Sequence, residues 1–251
     1  MAENKDIVMK CRHMEKVYPG TKALDDVDFN VYRGKVNVLI GENGAGKSTL
    51  LRIISTMLSP TSGNVIVNNH SILDDPQNVR KNIGILFGSE VGLYERLTAR
   101  ENLEYFAKLN GMPDSEITER VNHLVEKFSF ADYADKQVGT FSKGMKQKVA
   151  VARSIVHNPS VMLFDEPDSG LDFKAAKIIF DFMELCREEG KSIIFSSHSM
   201  ENIKNYSDRM VVIHKGVIIK TFDVHEYREK YSDREINNIL FSLVCDDDEN
   251  I

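Results

Sequence analysis

The run Gly41-Glu42-Asn43-Gly44-Ala45-Gly46-Lys47-Ser48-Thr49 constrains this chain more than any other stretch, because of what stands on each side of it. Before it, Val36-Asn37-Val38-Leu39-Ile40 reads as a buried strand; after it, Leu50-Leu51-Arg52-Ile53-Ile54 reads as the start of a helix. A strand that turns through glycines into a helix leaves successive backbone N–H groups, here expected from Gly44 to Ser48, pointing into one concavity that suits anionic oxygens. Glycine is expected because side chains would block that approach. The pattern reads as a phosphate cradle framed by Gly41, Asn43, Gly44, Ala45, Gly46 and Thr49. In it Lys47 reaches the β- and γ-phosphates as a point charge, and the Ser48 hydroxyl ligates the Mg²⁺ that bridges them. A chance match in an ordinary glycine turn is the competing explanation, and the strand-before, helix-after context counts against it.

Composition narrows the class. The chain has 251 residues, 42% hydrophobic and 28% charged, enough to bury a substantial core in one large domain or two small ones. A net charge of −6 argues against a chain whose main task is gripping nucleic acid, so no nucleic-acid partner is expected. Cys11, Cys186 and Cys245 are odd in number and form no metal-ligand pair, which fits reduced thiols in a cytosolic compartment. No run approaches the roughly 18 apolar residues of a membrane span, and Met1-Ala2-Glu3-Asn4-Lys5-Asp6 lacks a secretory pattern. The chain is therefore expected not to cross a bilayer by itself.

Along the chain, Ile7-Val8-Met9-Lys10-Cys11 and Val27-Asp28-Phe29-Asn30-Val31 look like antiparallel strands, with turn signals at Tyr18-Pro19-Gly20 and Arg33-Gly34-Lys35. Continuously apolar runs at Ile83 to Phe87, Val161 to Phe164, Ser192 to Phe195 and Met210 to Ile213 suit buried parallel strands. The middle changes character: Thr98-Ala99-Arg100-Glu101 is a capping-box pattern, Pro113 to Glu116 open another helix, and Lys143 to His157 carry apolar residues at helical spacing. The expectation is an α/β domain over 1–230, with a core of about 1–88 and 159–223, an N-terminal antiparallel β subdomain, and an inserted α-helical subdomain of about 89–158. The acidic residues 231–251 read as a short solvated tail.

A phosphate cradle alone does not specify a reaction, so what lies downstream decides. Val161-Met162-Leu163-Phe164-Asp165-Glu166 is an apolar strand ending in two carboxylates. At a strand's C-terminal end they would face a nucleotide, Asp165 holding Mg²⁺ and Glu166 orienting and deprotonating the attacking water. Two exposed acids starting a loop is the plain alternative. Ile193-Ile194-Phe195-Ser196-Ser197-His198 repeats the design and delivers His198 to the same edge as a γ-phosphate contact, although a lone histidine is more often structural.

Joined by Phe141-Ser142-Lys143-Gly144-Met145-Lys146-Gln147 and Ser169-Gly170-Leu171-Asp172, these elements resemble the ATP-binding cassette family of transporter ATPases from about Ile7 to Phe222. The resemblance implies a P-loop NTPase (RecA-like) core, ATP and Mg²⁺, and hydrolysis of ATP to ADP and phosphate. It implies that Tyr18 stacks on adenine, a role that a tyrosine packing on its own hairpin would not have. Ser142 and Gly144 occupy the family's Ser-Gly-Gly-Gln signature, from which Lys143 and Met145 depart; in the family that signature closes over the phosphate of a partner in a head-to-tail homodimer. Asp172 falls in the loop linking the two sites, or caps the following helix. The glutamine usual after the Ile83 strand is absent, with Gly88 in its place and Ser89 or Glu90 as substitutes. Gly92 to Leu103 resembles branches exporting sodium, drugs or peptides and marks the docking place of a separate multi-span permease, which would hold the chain at the inner face of the cell membrane. A soluble cassette ATPase that remodels a cytosolic complex is the alternative.

Overall fold

The computed structural model describes residues 7–87, 92–169, 173–197 and 199–230. In chain order its strands are β1 (Ile7–Tyr18), β2 (Thr21–Tyr32), β3 (Val36–Ile40), β4 (Ser62–Val67), β5 (His70–Ser71), β6 (Ile83–Phe87), β7 (Val161–Asp165), β8 (Ser192–Ser196), β9 (Arg209–His214) and β10 (Val217–Asp223). The helices are α1 (Lys47–Ile54), α2 (Pro76–Asn82), α3 (Ala99–Leu109), α4 (Asp114–Lys127), α5 (Lys143–Ser154), α6 (Phe173–Glu188), α7 (Met200–Tyr206) and α8 (Val224–Lys230). The first sheet has the order β2-β1-β4-β5 and is antiparallel; the second runs β10-β9-β3-β8-β7-β6. In the second sheet β3, β6, β7, β8 and β9 are parallel and β10 closes one edge antiparallel. This is the mixed α/β architecture expected from the sequence.

The period of two in a strand sorts the residues of the parallel sheet onto two cores. Val36, Val38 and Ile40 of β3 join Phe164, Phe195 and Met210 in one cluster, whereas Leu39 joins Leu163, Ile194 and Val211 in the other. The first cluster is covered by α3 to α6; the second is covered by α1 and the inner face of the antiparallel sheet. All five residues of β3 are buried, which is why four of them are apolar; the exception, Asn37, donates to the Lys35 and Ile193 carbonyls at 3.3 and 3.4 Å.

Between β6 and β7 lie α3, α4 and α5. The capping box is formed as the sequence suggests: Glu101 N–H donates to Thr98 Oγ1 at 3.1 Å, and Thr98 N–H donates to Glu101 Oε2 at 2.7 Å. Arg100 ties the start of α3 to Asp135 and to Asn122 of α4, both at 2.7 Å. The last helix of this group ends at Ser154 rather than continuing to His157, because the chain turns at Ile155 and Asn158 N–H closes back on the Ile155 carbonyl at 2.9 Å. Among the described residues, no helix is long and apolar enough to cross a membrane.

Candidate active site

The turn from β3 into α1 makes its glycines necessary for different reasons. A Cβ on Gly41 would lie 2.1 Å from the Ile213 carbonyl oxygen, and one on Gly46 would lie 2.6 Å from the Ala23 carbonyl oxygen. Gly46 also takes φ 108°, outside the usual range of L residues. These two glycines are fixed by the protein's own packing. Gly44 is different: it takes φ 85° with nothing within 4 Å of its added Cβ, so there the backbone conformation and an unobstructed approach are what glycine supplies. Asn43 and Gly44 form the exposed crest of the turn, while Ala45 is buried and Ser48 and Thr49 are partly buried on the first turn of α1. Ala45 N–H donates to the Glu42 carbonyl at 3.1 Å to close the turn, which takes one of the five amides from Gly44 to Ser48 out of the cradle.

Lys47 is buried, and its ammonium donates to the Gly41 carbonyl at 2.7 Å and the Glu42 carbonyl at 2.9 Å. Its side chain is thereby folded back over the turn. Burial lowers its pKa from the ordinary lysine range, while the carboxylates of Glu166 and Asp165 act in the opposite direction. An incoming phosphate would supply the anionic partner that the two neutral carbonyls lack.

The carboxylate end of the site is held by a residue that the sequence analysis did not single out. Asp165 closes β7 and Glu166 follows it; the neighbouring strand β8 ends in Ser196. Ser196 Oγ donates to Asp165 Oδ1 at 2.7 Å and accepts the Glu166 N–H at 2.8 Å. One buried hydroxyl therefore fixes the orientation of one acid and the backbone of the other. Glu166 needs that support, since its φ of 45° is left-handed and costs a residue with a Cβ about 1–2 kcal/mol. The following turn is closed by Ser169 N–H on the Glu166 carbonyl at 3.0 Å, and Asp168 is tied to Asn202 of α7 at 2.8 Å. The signal that points to Ser196 is a small hydroxyl at the C-terminal end of a buried strand, useful only once β8 is known to lie beside β7.

A hard divalent cation takes oxygen donors, and the Asp165 carboxylate and Ser48 hydroxyl are of that type. The Ser196 hydrogen bond leaves Asp165 oriented at the strand end beside the Lys47 side chain, whose pKa its charge raises. The residues present thus fit Mg²⁺ in the company of phosphate.

The remaining expected site residues stand on other elements. Tyr18 ends β1, 39% exposed, with the Lys16 ammonium 5.1 Å from its ring centroid. Ser142 caps α5, accepting the Met145 N–H at 3.3 Å, which leaves its O–H as a donor. Gly144 on the first turn of that helix faces open space, and Met145 packs against the helical-side core. His198, Asp172, and the segment Gly88, Ser89 and Glu90 lie outside the described residues.

Residues 24–169 match the family model described as ABC transporter. Among curated relatives, the ABC transporter ATP-binding protein NatA of Bacillus subtilis is 42% identical over 221 residues, covering 88% of this chain and 90% of NatA. The doxorubicin resistance ATP-binding protein DrrA of Mycobacterium tuberculosis is 33% identical over 92% of this chain and 70% of its own length. The methionine import ATP-binding protein MetN of Rhodopseudomonas palustris is 37% identical over 84% of this chain and 60% of its own. Among solved structures, the ATP-binding cassette MJ0796, a dimer in a post-hydrolysis state with ADP and phosphate, superposes with a TM-score of 0.74 at 26% identity, covering 86% of this chain and 98% of that one.

Proposed function

The chain belongs to the ABC transporter family as an ATP-binding subunit with ATPase activity, and from that premise we propose that Glu166 and Lys47 carry the hydrolysis and that it powers export through a separate membrane permease. The observation that carries the catalytic assignment is the Ser196 bridge, which holds Asp165 and the Glu166 backbone together at the strand ends. ATP would lie with its phosphates in the turn from Gly41 to Thr49 and its adenine on Tyr18. Lys47 would leave the Gly41 and Glu42 carbonyls to neutralise the β- and γ-phosphates. Glu166 would accept a proton from the attacking water, and His198 would contact the γ-phosphate. Ser48 and Asp165 would hold Mg²⁺, which when bound offsets charge on the β- and γ-phosphate oxygens.

The second half of each site would come from another copy in a head-to-tail homodimer. Ser142, Gly144 and the start of α5 offer a hydroxyl, an uncovered backbone and a helix N-terminus for a γ-phosphate held by the partner, with Asp172 in the loop between the sites. The dimeric relative bound to ADP and phosphate supports this reading.

The permease would dock near Gly92 to Leu103. A cleft of about 350 Å³ there is lined by Met57, Ile85, Phe87, Phe106, Leu109 and Arg153, and Met57 and Leu109 are 64% and 66% exposed on its rim. This segment is clamped to α5 by Arg153 on the Gly92 carbonyl at 2.6 Å and by Lys146 on Glu95 at 2.7 Å. A push on the cleft would therefore reach the helix that Ser142 caps. Docking would place the chain at the inner face of the membrane. Export is the reading favoured by the resemblance of Gly92 to Leu103 to exporting branches, and the doxorubicin resistance in DrrA's name fits it; MetN, named for methionine import, shows that import proteins share the cassette.

The test is to tag the Glu166→Gln chain, extract native membranes in mild detergent with ATP and Mg²⁺, and identify what co-purifies against a Lys47→Ala control. A stoichiometric multi-span protein is expected with the first and lost with the second. Soluble partners alone would instead favour a remodelling ATPase.

A further inference from the structure

The end of β1 carries a contact that the phosphate site does not use. Lys16 and Tyr18 are two residues apart on the strand, so their side chains share a face. The Lys16 ammonium lies 5.1 Å from the Tyr18 ring centroid, inside the roughly 6 Å reach of a cation–π contact. It is anchored by donation to the Ser59 carbonyl at 2.8 Å, and among the described residues no carboxylate pairs with it. The nearby acids Glu15 and Asp25 are both engaged by Lys22, at 3.0 and 2.5 Å. The frame beneath is fixed: Val17 N–H donates to Thr61 Oγ1 and Thr61 N–H to the Glu15 carbonyl, each at 2.9 Å. Among the described residues no aromatic ring packs on Tyr18.

We propose that Lys16 is a positioning residue for the nucleotide base: held by the Ser59 carbonyl, its ammonium braces one face of the Tyr18 ring and leaves the other face for the purine. This rests on the reading of Tyr18 as the base platform. A cation on one face restricts the ring's rotamers before ATP arrives, which reduces the ordering lost on binding. It also draws π-density toward itself, so the far face repels the π-cloud of a stacked base less.

The experiment measures affinity for ATP and for inorganic tripolyphosphate, with KM and kcat for ATP, in the full chain. The variants are Lys16→Met, Lys16→Arg, Tyr18→Ala and the double variant Lys16→Met/Tyr18→Ala. Lys16→Met is expected to weaken ATP about two- to five-fold, to leave tripolyphosphate unchanged, and to raise KM with kcat held. Lys16→Arg should restore wild-type affinity, and Lys16→Met should have no further effect once Tyr18 is alanine. Equal weakening of tripolyphosphate would show that Lys16 acts on the phosphates and overturn the proposal, as would an undiminished effect in the Tyr18→Ala background. If Tyr18→Ala weakens ATP and Lys16→Met does not, the bracing role alone fails. If Tyr18→Ala leaves ATP affinity unchanged, the base-platform reading fails and takes the proposal with it.

Discussion

The two ends of the candidate site are built by different means. At the phosphate end, backbone shape and buried hydrogen bonds determine the geometry: Gly41 and Gly46 are pinned against carbonyls of β9 and β2, Lys47 is buried, and Ser196 ties β7 to β8 through two acids. At the proposed base end a single exposed ring stands at the end of a hairpin, with one lysine ammonium over it. The first arrangement is preorganised toward charge, where a small displacement is expensive. The second offers a flat surface whose contribution is additive and modest. Changes at the two ends should therefore differ in the size of their effect, most of all for Glu166, and in what they affect.

The largest effect is expected from Glu166→Gln. The amide keeps the size of the side chain and the left-handed backbone but cannot take a proton, so hydrolysis should fall by about 10²- to 10⁴-fold while ATP affinity is kept. Single-turnover assays read this directly, and near-normal turnover would remove Glu166 from the role of base. Next comes Gly46→Ala, which forces a methyl to within 2.6 Å of the Ala23 carbonyl oxygen and 2.8 Å of Leu24 Cδ2 at φ 108°. Strain and overpacking together should cost about 2–5 kcal/mol, read as a lower denaturation midpoint together with lost ATP binding. A stable variant with weakened binding would mean that the turn relaxes, and that the phosphate end is less rigid than the base end.

What was legible in the sequence follows the same division. The strand, turn and helix from Val36 to Ile54 are contiguous, so their chemistry can be read without knowing the fold. The same holds for the capping box at Thr98 and Glu101, which is closed by residues three apart. Ser196 was not legible as an organiser because it lies 30 residues from Glu166 and acquires its partners only through the pairing of β7 with β8. The left-handed backbone of Glu166 was equally hidden, since an acid after an apolar strand carries no local signal for positive φ. The short strand His70–Ser71 and helix α2 escaped notice for another reason. One is two residues long, and the other is a polar seven-residue helix with Val79 as its buried residue, so neither shows a period.

Ser196→Ala tests the hidden bridge. It removes the donor to Asp165 and the acceptor of the Glu166 N–H, two bonds with a charged or strained partner. The expected loss in kcat is about ten- to hundred-fold, and Ser196→Thr, which keeps the hydroxyl, should recover most of it. A full loss in the threonine variant as well would mean that packing, not the hydroxyl, is what β8 contributes there.

The smallest effect, and the one that sharpens the comparison most, is expected from Tyr18→Ala. The ring is 39% exposed, and Lys16, whose ammonium lies over it, is also anchored on Ser59, so its removal leaves little unsatisfied in the fold and the denaturation midpoint should hardly move. Binding of ATP should weaken about five- to tenfold, as expected for loss of one base-stacking surface, while tripolyphosphate binding and the rate of the bound state stay as they are. The contrast with Ser196→Ala is then one of kind: the base end sets KM and the phosphate end sets kcat. If Tyr18→Ala lowered kcat as strongly as KM rose, base stacking would be helping to position the γ-phosphate, and the two ends would have to be treated as one coupled site.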